Sequence, residues 1–168
     1  MIIPPWALLL SFWLHMFATV VWIGGLATLA IIVIPVMRRT LKPLEFSNWL
    51  TILNKRLDPI GWLCLGLLIF TGLIQMEDNT NYVGLLAVSN QWSQAIFVKH
   101  ILFLGMVLVS AYMTWVLAPA LQRKAILGAR NRKLSTELPS SGRLHLMITI
   151  NFILGMLVLI FTAIARIS

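Results

Sequence analysis

Polar and apolar residues alternate in blocks along this chain rather than residue by residue. Four long apolar runs stand at about 6–37, 59–76, 92–120 and 144–165, with polar or charged stretches between them. Each run is long enough to cross a hydrocarbon core, which takes about 20 helical residues. The pattern predicts an all-α integral membrane protein: one domain over 1–168, a four-transmembrane-helix up-down bundle with helices at about 6–37, 59–76, 92–120 and 143–166. The first run is too long, too rich in Trp and too poor in preceding basic residues to read as a cleaved signal peptide.

Local signals refine the boundaries. Pro4 and Pro5 open the first helix, and Pro35 weakens its last turn before Arg38 and Arg39. Segment 40–57 is polar with spaced apolar residues (Leu44, Trp49, Leu50, Leu53), which suits a short helix lying on the membrane face. Asp58-Pro59 reads as an N-cap followed by Pro at the first helical position. Loop 77–91 holds turn formers around a small apolar patch able to fold back over the bundle, and loop 121–142 is rich in Gly, Ser, Pro and charge. The halves resemble a repeat. Leu-Ile-Phe-Thr occurs at 68–71 and again at 159–162, and His15 and His100 precede Pro35 and Pro119 at similar distances. Two repeated helical hairpins of like orientation would be related by a pseudo-two-fold axis along the membrane normal.

Composition agrees with the pattern: 60% of residues are hydrophobic and 11% charged, against roughly 25% charged in soluble domains. The net charge of +8 does not point to nucleic acid, because it is localised. Arg38, Arg39, Lys42, Lys55 and Arg56 follow the first run; Arg123, Lys124, Arg130, Arg132, Lys133 and Arg143 follow the third. The positive-inside rule assigns both basic loops to the cytoplasm and both termini to the outer side of a cell inner (plasma) membrane. Membrane lipids with anionic headgroups suffice as partners for these loops. The single Cys64 lies in an apolar run, so there is no disulfide framework.

Ionisable groups at membrane depth are costly and tend to mark function. His15 lies about 8 residues into the first helix and His100 about 8 into the third, roughly 12 Å in each case at the helical rise. In an up-down bundle these helices are diagonal, so the two imidazoles can clasp one object on the axis. Haem b with two imidazole ligands fits that shape, with Lys99 or Arg166 beside its propionates. Copper also fits, since imidazole and thioether suit it, and Met16 and Met76 lie in the same half. The competing reading is a pair of histidines that only donate hydrogen bonds to carbonyls or hydroxyls, with Lys99 snorkelling to the interface. Lys99 and His100 are adjacent, so one of them is expected to face the axis, and His100 is preferred because an ammonium must lose its proton before it can ligate. His145 begins in the opposite half and is expected at the interface beside Asp58. Asn151 and Thr149 read as interhelical hydrogen-bonding groups. The acids Glu45, Asp58, Glu77, Asp78 and Glu137 are all expected to be shallow. No phosphate-binding Gly loop, paired intramembrane carboxylates or Cys-x-x-Cys motif is present.

These residues carry a family resemblance. The stretch from Leu14-His15-Met16 through Trp22-Ile23-Gly24-Gly25 to Pro35 and Arg38 resembles the first helix of CopD-type copper-resistance membrane domains. Val98-Lys99-His100 leading to Ala118-Pro119 resembles their later helix. The resemblance implies a role in copper uptake or tolerance. His15 and Lys99 also match positions of HemJ-type protoporphyrinogen oxidases, a resemblance that implies haem. This chain has Leu26-Ala27-Thr28 where that group carries Tyr-Leu-Pro-Arg-Leu. The expected function is a redox metal centre, haem b or copper, held between His15 and His100. The alternative is a cofactor-free accessory subunit of a larger respiratory or photosynthetic membrane complex.

Overall fold

A computed structural model describes residues 3–77, 84, 90–123 and 139–167. All its elements are helical, and four helices are long and apolar enough to cross a membrane. We name them α1 (Pro5–Thr40), α2 (Pro43–Glu77), α3 (Gln91–Arg123) and α4 (Pro139–Ile167). The chain is a multi-pass membrane protein. The expected loops 77–91 and 121–142, including the apolar patch of the former, lie largely outside the described residues.

Three of the four helix starts have a local cause in the described residues. Pro4 is extended and Pro5 takes the first helical position of α1, where a missing N–H costs nothing. At α2 the Glu45 carboxylate accepts the Lys42 N–H at 3.1 Å, three residues back. At α3 Asn90 and Ser93 form a reciprocal capping box: Asn90 Oδ1 accepts the Ser93 N–H at 2.7 Å, and Ser93 Oγ accepts the Asn90 N–H at 3.1 Å.

The helices pack as two antiparallel pairs, α1 with α2 and α3 with α4, joined mainly through α1 against α4. Large apolar side chains such as Leu9, Val20, Phe70, Leu108 and Ile160 face outward, the arrangement lipid requires. The apolar core is not centred. It fills the half nearest Arg38 and Arg123, where Leu26, Ile34, Phe46, Leu50, Leu117, Leu144 and Ile148 are buried together. The half nearest Pro5 and Glu77 is hollow.

Two sequence expectations are corrected. Segment 40–57 is not a separate surface helix: from Pro43 on it is the first part of α2, which runs unbroken through Pro59. Asp58 is therefore not an N-cap, nor Pro59 a first helical residue. Phe46 and Leu50, each 4% exposed, insert into the core instead of lying on lipid. That burial offsets the missing Pro59 N–H, a defect that costs roughly 3 kcal/mol in a helix interior.

The second finding is a paired irregularity. A π turn occupies Leu29–Val33 in α1 and another occupies Met113–Leu117 in α3. Each is followed by one residue and then Pro, at Pro35 and Pro119. The Ile34 N–H reaches back to the Leu29 carbonyl, and the Ala118 N–H to that of Met113. Neither proline can supply the next donor. The Ala30 carbonyl would thus be left bare inside the bundle, and His145 of α4 donates to it from Nε2 at 3.1 Å. His145, expected from the sequence at the interface beside Asp58, is committed to the α1 backbone.

Candidate functional site

The hollow half holds a partly open cavity of about 360 Å³ to which all four helices contribute. His15 and Met16 come from α1, Gly72 and Met76 from α2, Lys99 and His100 from α3, and Thr162 from α4. The structure thus brings His15 and His100 to one chamber. It also brings both Lys99 and His100 there, although they are neighbours in sequence and only one was expected to face inward. Met76 is 7% exposed, whereas Met16 is 68% exposed and reaches the chamber at its rim. Met106, 2% exposed, also lines it and had not been singled out, because a methionine in so apolar a chain carries no distinguishing signal. Arg166 is exposed in the last turn of α4 and is not among the lining residues.

Hydrogen bonds set the chemistry of both imidazoles. Thr71 is 1% exposed, and its hydroxyl donates to the Leu67 carbonyl at 2.6 Å. Its oxygen lies 2.8 Å from His15 Nδ1 and has only lone pairs left to offer. In the neutral ring the proton therefore sits on Nδ1, and Nε2 carries the free lone pair. His100 Nδ1 is 2.6 Å from the Ile96 carbonyl, which can only accept. The same assignment follows. A ring N–H fixed by an internal acceptor, with the other nitrogen unprotonated, is the form in which histidine binds metals. The donor role in the competing reading is thus real, but it engages one nitrogen of each ring and leaves the other.

Further polar groups brace the α1–α2 wall. Ser11 donates to the Thr71 carbonyl at 3.2 Å, and Gln75 Nε2 to the Ser11 carbonyl at 3.3 Å. The repeated Leu-Ile-Phe-Thr stretches share one local bond: Thr162 donates to the Val158 carbonyl at 2.7 Å as Thr71 does to Leu67. Their surroundings differ, Thr162 being exposed where Thr71 is buried. Among the described residues no three His, Cys, Asp or Glu side chains cluster as a metal site. Any centre here would draw on two imidazoles and on sulfur or amine donors.

Below the chamber, toward the basic end, lies a second pocket of about 90 Å³ lined by Asn54, Asp58, Trp62, Ser110 and Thr114 among others. Asp58 hydrogen-bonds the Thr114 side chain across the α2–α3 interface. Of the five acids, Asp58 is half-buried: α2 continues through Pro59, and the Asp58 side chain turns into this pocket. Asn151, fully buried, donates to Ser110 Oγ at 2.8 Å as the sequence anticipated. For Thr149, also expected to bond between helices, the hydroxyl is buried with no hydrogen-bond partner among the described residues.

Neither a curated protein nor a solved structure matches the chain. A family match does exist, and it spans most of α2, all of α3 and nearly all of α4. It includes Lys99 and His100, while His15 lies ahead of it on α1. Over residues 53–165 the chain matches copper resistance protein D, and it belongs to that family, CopD.

Proposed function

We propose that the chain is a copper-handling membrane protein whose chamber binds the metal between His15 and His100. The observation that carries this reading is the shared state of the two rings. Both line one chamber, both have Nδ1–H engaged by an internal acceptor, and both keep Nε2 for a ligand. Met76 and Met106 add thioethers to the lining, and imidazole with thioether is a donor set suited to copper. Lys99 supplies a cation beside the site and acts on its potential rather than as a ligand. The basic residues at the opposite end, among them Arg38, Arg39, Lys55 and Arg123, support a cytoplasmic placement for that end. The chamber then opens toward the outer half of the membrane.

Metal analysis and an optical spectrum of the purified protein test the reading. Copper at about one equivalent, lost in His15→Ala and in His100→Ala but kept in His145→Ala and Lys99→Ala, is the expected result. Sharp reduced-state Soret and alpha bands would replace copper by haem b at the same residues. A colourless protein without copper, or signal loss in Lys99→Ala with retention in His100→Ala, would overturn the assignment.

A further inference from the structure

The two hollows share one wall. Trp22 of α1 lines both the histidine chamber and the Asp58 pocket, and its ring lies against Gly61 of α2 so closely that a Cβ there would sit 2.5 Å from it. Its indole Nε1 is buried with no hydrogen-bond partner among the described residues. Met106 continues the partition: its side chain lines the chamber, and its carbonyl accepts from Ser110, which lines the pocket. The Asp58 pocket gathers a carboxyl, an amide and two hydroxyls, from Asp58, Asn54, Ser110 and Thr114, beside the Met113 thioether, and no imidazole. A volume of about 90 Å³ bordered by Asn54, Asp58, Ser110 and Thr114 has room and partners for several waters. The stacked rings of Trp62 and Trp115, 5.3 Å apart, lie on the α2–α3 side at this level.

We propose that Asp58 is a proton-binding station within the bundle, with Trp22 as the partition between it and the histidine chamber. An acid inside a membrane bundle is retained at a cost and usually serves a proton or ion path. A lone carboxyl with hydroxyl and amide neighbours, and without an imidazole, suits a proton. Among the described residues α1, α3 and α4 turn no titratable side chain into this pocket. The nearest charges in sequence, Lys55 and Arg56, are exposed on α2 itself. His145 on α4 is committed to the Ala30 carbonyl. Asp58 therefore exchanges its proton through pocket water rather than with a neighbouring base.

The test uses the whole chain in lipid without metal, so it stands apart from the copper reading. Infrared spectra across a pH titration should show a protonated-carboxyl stretch that shifts in D2O and is missing in Asp58→Asn. A carboxyl signal unchanged by Asp58→Asn, or one that does not exchange, would refute the proposal. In vesicles carrying an internal pH dye, Trp22→Ala should raise proton leak severalfold, and Trp22→Ala/Asp58→Asn should return it toward the parent rate. Vesicles holding helical Trp22→Ala protein that stay as tight as the parent, or a leak that persists in the double variant, would remove Trp22 from the role.

Discussion

A threonine hydroxyl has one proton to give, and Thr71 gives it to the Leu67 carbonyl. That single commitment makes its oxygen an acceptor for His15 and leaves Nε2 of the ring unprotonated. Thr71→Val keeps the shape but removes the acceptor, so the ring loses its fixed tautomer and orientation. Copper affinity measured against a competing chelator should fall by about 10–100-fold, the usual effect of losing such an outer-shell partner. Affinity equal to the parent's would show that Thr71 serves packing alone. His15 and His100 were legible as candidates because charge-capable residues are rare in apolar runs. Thr71 was legible only as part of a repeated tetrapeptide, since threonine is common in membrane helices and its partner lies 56 positions away. His145 was set apart in sequence only by its place in the opposite half, and it bonds through Nε2 to Ala30. Its use as a carbonyl cap could not be read without knowing which carbonyl a π turn had freed.

In α1 and α3 the same device recurs: a π turn, one residue, then Pro. Prolines in the sequence announced a weak point in each helix but not its form. The π turn lets one N–H skip a residue and strands a carbonyl that the proline cannot serve. His145→Ala should therefore cost about 1–3 kcal/mol of stability, the penalty of a buried acceptor left unpaired. In a Pro35→Ala background, where the helix can regain a donor, the same substitution should cost less. Unfolding of the purified protein in detergent by a graded denaturant, read as a double-mutant cycle, measures the coupling; strictly additive losses would separate His145 from Pro35. The α2 boundary illustrates the converse. Asp58-Pro59 has the same local grammar at a helix start as inside a helix. The burial of Phe46 and Leu50 in one core cluster with Leu117, Leu144 and Ile148 favours a helix that continues.

At the scale of the molecule, one half is packed and the other hollow. The filled half adjoins the basic residues, the hollow half His15 and His100. If the basic end is cytoplasmic, Asn79→Cys should react with an impermeant thiol reagent in intact cells and Ser140→Cys should not. Native Cys64 is buried and gives little background. Labelling at Ser140→Cys without labelling at Asn79→Cys would invert the orientation. The residue order by itself determined the number of helices and the membrane class, because hydrocarbon admits only self-satisfied helices of sufficient length from apolar runs. It also marked His15, Lys99 and His100 by their depth. The tertiary structure alone decided that these three line one chamber, that Asp58 turns inward, and that Trp22 stands between the two hollows. Those outcomes depend on helix rotation and axial offset. Such quantities are set by how side chains of different helices interlock, and in a sequence where nearly every face is apolar no periodic pattern records them.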